Sequence, residues 1–305
     1  MAPAHHVDIH PHIIASDDGR YPRNPLFGVQ SDWSKERPIT IEQYVAAMDA
    51  AGIQQAAIVQ ASTCYGYDNS YLTDSIARYP GRLTAVGSVD LLQPDAPAQI
   101  RNWVRRGVTG LRLFTGGSTR AFDPSALDSP RSFPAWELCS EAGLSICLQT
   151  DPSGLAQVAG LAKRFPNVKI ILDHLSRPDI SDGAPYKKAA SLFGLQPFEN
   201  VYLKLTPRTV EKATAGNATP ETFFPKLMEV FGSHRVAWGS NYPASHGPLS
   251  AILDTAKKTL QCLAAEDQEW IFARTAQTLY PILATAGHSG ETRHAVARES
   301  AGISG

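Results

Sequence analysis

Residues 144–177 read LSICLQTDPSGLAQVAGLAKRFPNVKIILDHLSR, and the fold is decided in this stretch. An apolar run at 144–149 gives way to Asp151-Pro152, then to the helical pattern SGLAQVAGLAKRFP, then to a second apolar run at 168–172. Two short apolar runs joined by an amphipathic helix read as a βαβ unit, which repeated along a chain builds a parallel sheet wrapped in helices. The same alternation runs outward in both directions. Further strands are expected at 6–14, 56–60, 83–89, 110–114, 201–205 and 235–238. In the helical stretch ITIEQYVAAMDAAG, Thr40 caps, Tyr44, Val45 and Met48 form the apolar stripe and Gly52 terminates. DAPAQIRNWVRRG, RSFPAWELCSEAG and TPETFFPKLMEVFG read as further helices, each closing with Gly.

Eight strands separated by helices predict an α/β fold of the (β/α)8 TIM barrel type, a single domain over residues 1–285 with helices after the last strand. The rival is a doubly wound open sheet. It lacks its phosphate-cradling signals here, since no GxGxxG follows an early strand and no GxxxxGK[ST] occurs. Residues 16–38, rich in Pro, Arg, Asp and aromatic side chains, are too long for a bare connector and are expected to form a loop over the barrel mouth. The polar tail 286–305, with His288 and His294, cannot bury a core and is expected to be disordered.

The composition is that of a soluble globular chain. It has 305 residues, 43% hydrophobic and 19% charged, with 28 basic against 29 acidic side chains and a net charge of −1. A balance this even, with no basic run, argues against nucleic acid or an anionic membrane surface as partner. No apolar run reaches the roughly 18 residues of a membrane span, and MAPAHHVDIHPH has no leader-like charge and apolar order. Cys64, Cys139, Cys147 and Cys262 show no metal-type or CxxC spacing, which fits reduced thiols in a cytoplasmic protein. The expected partner is a small-molecule substrate, with homo-oligomer assembly left open.

The chemistry concentrates at predicted strand ends. In VDIHPHI, His10 and His12 are two apart and point to the same side of an extended chain, at the C-terminal end where barrel active sites lie. His174 follows the apolar run VKIIL and faces the same opening. Three imidazoles around one cavity suit zinc or a similar divalent ion with one position open for water. The plainer alternative is core histidines satisfied by carbonyls, or His174 bonded to Asp173.

Together with WGSNYP at 238–243, VDIHPHI and DHLSRP resemble the amidohydrolase superfamily, specifically its amidohydrolase-related (amidohydrolase 2) branch. That branch holds sugar and dicarboxylate lactonases, an aldarolactone isomerase and aromatic-acid decarboxylases. The resemblance spans about His5 to Leu283. It implies that His10, His12 and His174 are metal ligands for zinc or manganese and, with Asn241, the catalytic set. It implies further that Arg177 binds a substrate carboxylate. Asn241 stands where the family usually has an aspartate that ligates the metal and takes the proton from water. An amide has no charge and no useful basicity, so Asn241 is not that base and the site is weakly metallated or metal-free. Asparagine there is similar to the isomerase's WG-x-N-x-P pattern, although this chain keeps both strand-one histidines.

Arg112, Arg177, Lys204 and Arg208 form a cationic set that favours an acidic substrate, although a salt bridge would explain any one of them singly. Gln149, Tyr65 and His246 join Arg112, Arg177 and Lys204 as expected substrate contacts. Asp151 is a candidate replacement base but reads more readily as a helix cap, and Tyr67 and Asn69 are either substrate contacts or parts of a capped loop with Asn69 starting a helix. Imidazoles titrating near 6.5 are expected to carry protons. The expected activity is hydrolysis of a lactone or similar cyclic ester, carboxylate-bearing, in small-molecule catabolism. Alternatives are a metal-free lactone isomerase, a metal-dependent decarboxylase of an aromatic acid, and a non-catalytic binding barrel.

Overall fold

A computed structural model describes residues 5–285. The tail at 286–305, with His288 and His294, lies outside the described residues. Eight strands form one sheet in sequential order: β1 (Val7–Asp8), β2 (Gln55–Val59), β3 (Leu83–Gly87), β4 (Val108–Phe114), β5 (Ser145–Gln149), β6 (Ile170–Asp173), β7 (Val201–Leu205) and β8 (Val236–Trp238). Every neighbouring pair is parallel. The last strand returns to the first through the Ile9 N–H, which donates to the Trp238 carbonyl at 3.3 Å. This is the (β/α)8 barrel that the alternation of apolar runs predicts.

The buried Asp8 carboxylate secures that seam. It accepts hydrogen bonds from the His10 and Ser240 backbone N–H groups (3.0 and 2.8 Å), from the Ser240 hydroxyl and from the Tyr44 hydroxyl (3.0 Å). The first strand is far shorter than the expected 6–14. Pro11 has no N–H to give a ladder, and the chain beyond Asp8 bonds irregularly, the Val59 N–H to the Pro11 carbonyl and the His12 N–H to the Tyr242 carbonyl, each at 2.8 Å.

Helices cover the outside. Ile41–Ala51 starts at Thr40 with a reciprocal capping box to Gln43 and ends on left-handed Gly52. Ala96–Arg105, Phe133–Glu141, Leu155–Arg164 and Pro220–Phe231 fall on the other patterned stretches. Their apolar faces pack with outward residues such as Ile58, Leu111, Leu148, Leu172, Leu203 and Trp238 in the main core.

The inside of the barrel is a separate, smaller core of Val7, Ile9, Ala57, Val59, Val86, Cys147, Ile171 and Ala237. After β8 the chain adds helices, and Ala276, Leu279, Tyr280 and Leu283 close this core from below. The interior residues are small because Tyr280 fills part of the lumen: a Cβ at Gly110 would sit 3.1 Å from its ring. Cys64, Cys139 and Cys147 are buried and Cys262 is exposed, all four as free thiols.

Candidate active site

The C-terminal strand ends surround a cavity of about 220 Å³. His12, Arg112, Gln149, His174, Arg177, Arg208 and Asn241 line it, with Trp33, Ser62, Thr63 and Ser118 from the loops. A larger groove of about 560 Å³ lies below β1, lined by His5, His6, Lys257, Phe272 and Arg274. Convergence of chemistry, not volume, marks the upper cavity as the site.

Local structure explains why these side chains converge. His10 and His12 leave β1 on the same side, and their rings meet edge to face with centroids 5.0 Å apart. His174 lies 5.0 Å from His10 on the other flank. Gly239 permits this: a Cβ there would stand 2.5 Å from the His10 Cβ. The His12 Nδ1 donates to the Val59 carbonyl at 2.8 Å, because a carbonyl can only accept, so the lone pair rests on Nε2. His174 Nδ1 is paired with the Thr206 hydroxyl at 2.8 Å.

His174 and Arg177 are set by an unusual turn. Residues His174, Leu175, Ser176 and Arg177 all have positive φ, between 53° and 55°. The Arg177 N–H closes on the His174 carbonyl at 2.8 Å. Leu175 is fully buried, and the Lys212 ammonium caps the exit by donating to the Arg177 and Pro178 carbonyls at 3.3 and 2.9 Å. Asn241 also has positive φ, 52°, which asparagine tolerates better than most residues. Its Nδ2 donates to the Ser245 hydroxyl at 3.1 Å.

Beneath the imidazoles sits one carboxylate, Asp173, completely buried. Arg112 Nε donates to its Oδ2 at 2.8 Å, and the Lys204 ammonium approaches Oδ1 to 2.7 Å. The His10 Nδ1 lies 3.6 Å from the same Oδ1, and neither His10 ring nitrogen has a hydrogen-bond partner among the described residues. Arg112 also donates to the Gln149 side-chain oxygen, whose amide in turn donates to the Gly116 carbonyl at 3.2 Å. Arg177 stacks over Phe122, its Nε buried and unpartnered among the described residues. Neither Arg177 nor Arg208 has an acidic partner within the described residues, and no Asp or Glu lines the cavity.

The electrostatics follow from this excess of cations. Burial opposes ionisation of Asp173, but Lys204 and Arg112 outweigh it and hold the carboxyl below its usual range. Burial, reinforced by Arg112, lowers the His12 imidazole to about 3. Burial and Lys204 lower His10, and burial lowers His174 against the pull of Asp173. Burial and Arg208 bring Arg177 down to about 10.

The amidohydrolase family model matches residues 7–282. The chain belongs to the amidohydrolase family. A curated relative, L-fucono-1,5-lactonase of Burkholderia ambifaria, is 28% identical over 246 residues, covering 78% of this chain and 80% of the relative. A probable 2-pyrone-4,6-dicarboxylic acid hydrolase of Acinetobacter baumannii, crystallised with citric acid, superposes with a TM-score of 0.71 at 17% identity, covering 90% of this chain and 99% of that one. An amidohydrolase of Burkholderia multivorans with bound zinc superposes with a TM-score of 0.70 at 17% identity, covering 91% and 99%.

The family resemblance brings a divalent ion to the three imidazoles, and this amidohydrolase fits that ion only in part. His12 and His174 are anchored through Nδ1, which leaves Nε2 for a ligand. The charges oppose it. Among the described residues no three His, Cys, Asp or Glu side chains are grouped to hold a metal. The single carboxylate already carries an ammonium and a guanidinium. A unit positive charge about 4 Å from a dication opposes it by about 8 kcal/mol at an effective dielectric of about 20. As the residues stand, they do not fit the ion.

Three expected substrate contacts are not brought to the cavity of this amidohydrolase. Lys204 is fully buried one layer below the mouth, on Asp173. Tyr65 is buried at the end of the short helix Ser62–Tyr65, with its hydroxyl taking the Ala15 N–H at 2.7 Å. His246 is exposed and lines a separate groove beside Pro207 and Thr255. The imidazoles also differ from the expected carriers titrating near 6.5, since burial among cations keeps them neutral. Asp151 is a cap, accepting the Ser153 N–H at 3.0 Å. Asn69 precedes the helix Ser70–Ile76, but its side chain bridges to the Ser88 backbone (2.7 and 2.9 Å) in place of capping. Asp173 and Trp33 were not singled out by sequence. Asp173 adjoins His174 in DHLSRP, and Trp33 lies in the aromatic-rich loop, where its indole stacks on His12 at 5.2 Å.

Proposed function

We propose that this amidohydrolase hydrolyses a lactone or similar cyclic ester that carries a carboxylate, in small-molecule catabolism. The observation that carries this reading is the pair Arg177 and Arg208, two guanidiniums without acidic partners among the described residues, on the wall that also presents His12, His174 and Asn241. A substrate carboxylate supplies the missing anion, and a guanidinium fork binds it in a fixed orientation. The names of its relatives fit: one is a lactonase, the other a hydrolase of a pyrone dicarboxylic acid.

The chain's own residues then divide the work. Arg208 at the rim takes the carboxylate, and Arg177, deeper and desolvated, faces the ester carbonyl oxygen and stabilises its developing negative charge. Water attacks the carbonyl carbon, and its proton passes to the His12 Nε2 lone pair; the tetrahedral intermediate then collapses with cleavage of the ring C–O bond, and the His12 imidazolium returns the proton to the departing ring oxygen, leaving a hydroxy acid. Binding an anion offsets the cations that depress that imidazole, so the substrate raises the basicity of its own base. Asn241 donates or accepts a hydrogen bond at the water or ring oxygen and takes no proton. Trp33 and residues 16–38 cover the mouth and exclude bulk water.

The test is a panel of aldonolactones with and without a second carboxylate, followed by acid release and product mass. The carboxylate-bearing members should be turned over with the higher kcat/KM, and Arg208→Ala should remove that preference. A preference for neutral lactones, or a carboxylate preference that survives Arg208→Ala, overturns the reading. An isomeric lactone as product, with no gain of water, would instead indicate lactone isomerisation, which the amide at 241 favours.

A further inference from the structure

Inward-facing positions of a small parallel barrel are normally filled by branched apolar side chains. Lys204 breaks that rule. It is inward on β7, fully buried, and cross-strand neighbour to Asp173 on β6. Its ammonium reaches Asp173 Oδ1 at 2.7 Å and the Cys147 sulfur at 3.2 Å. That same carboxylate oxygen lies 3.6 Å from the His10 Nδ1. Asp173 is therefore shared between a fixed cation and the histidine cluster, and Arg112 occupies its other oxygen at 2.8 Å.

We infer that Lys204 is the resident cation of this site: its ammonium on Asp173 takes over the charge-balancing place of a divalent ion and keeps the cluster of His10, His12 and His174 from retaining one. An ion-pair with merely a stabilising role would leave metal retention unchanged when removed. A resident cation makes the opposite demand, because the imidazoles and the freed Asp173 oxygen then form a set of three nitrogens and one carboxylate, suited to zinc.

The full-length protein and Lys204→Met, which keeps the stem and removes the charge, would be stripped with chelator, given zinc chloride, desalted and assayed by elemental analysis. Wild type is expected to retain well under about a tenth of an equivalent, and Lys204→Met about one equivalent with a zinc-dependent rise in Tm. Adding His10→Ala to Lys204→Met should abolish that retention. About one equivalent of zinc held by wild type overturns the inference, as does a folded Lys204→Met that retains none. Should Lys204→Met fail to fold, Lys204→Gln, which likewise removes the charge but leaves a polar group in the buried site, carries the same comparison. Metal retention is read without any substrate, so a failure to find lactone turnover does not bear on it.

Discussion

Asp173 and Lys204 face each other across β6 and β7, both side chains fully buried, with the ammonium 2.7 Å from the carboxylate. Removing one member leaves the other charged in a dry interior. Asp173→Asn is expected to cost about 3–5 kcal/mol of stability, measured by urea denaturation, because Lys204 and Arg112 lose their counter-ion together. A loss below about 1 kcal/mol would mean that water reaches the pair.

Acid should destabilise the protein from an unusually high pH. His10, His12 and His174 have folded pKa values lowered by burial, so the unfolded chain binds their protons first. Their neutral forms impose no pH dependence above about 6.5, and stability falls as pH drops below it, by up to about 1.4 kcal/mol per pH unit for each histidine. Denaturation midpoints between pH 7.5 and about 4.5 test this, and a flat profile would contradict it.

Activity should not show the same inflection. The His12 imidazole at about 3 remains a neutral acceptor well into the acid range. On a substrate whose carboxylate is ionised throughout, kcat/KM of the free enzyme should stay level from pH 8 to about 5.5. A fall centred near 6.5 would place the base elsewhere.

The two unpaired guanidiniums should differ. Arg177, desolvated beside the imidazoles, is expected to lower kcat/KM about a hundredfold when replaced by alanine, mostly through kcat. Arg208, exposed at the rim, should act mainly through KM, about tenfold. Steady-state kinetics with a carboxylate lactone separates the two.

Gly239→Ala tests the packing behind His10. The added Cβ would meet the His10 Cβ at 2.5 Å and push the ring toward the cavity. Turnover should fall by about a hundredfold for a stability loss of only about 1–3 kcal/mol, since a shift near 1 Å at a site is amplified in rate.

The barrel and the histidines were legible because both rest on short-range pattern. The two-residue spacing groups His10 with His12, although the strand itself ends at Asp8, and an apolar run delivers His174 to the mouth. Depth was not legible. Lys204 and Arg112 share an inward phase, yet Lys204 is fully buried on Asp173, 31 positions earlier, which meets it only through sheet register. Tyr65 closes a single-turn helix and His246 sits on irregular backbone, both too short of regular structure for a period to say which way a side chain turns. A loop over the mouth was expected at 16–38, but nothing local marks Trp33 as the residue in it that stacks on His12.

Four successive left-handed residues at 174–177 hold backbone energy of roughly 1–2 kcal/mol each, about 4–8 kcal/mol together. That compares with the roughly 5–15 kcal/mol by which a whole domain stays folded. The turn is a loaded spring whose catch is the packing around Leu175 and the grip of Lys212. When the catch slips, His174 and Arg177 leave together while the strands beneath remain paired. A warmed or ageing preparation would then keep its circular dichroism spectrum and lose its chemistry, so shape alone is a poor certificate of a working sample.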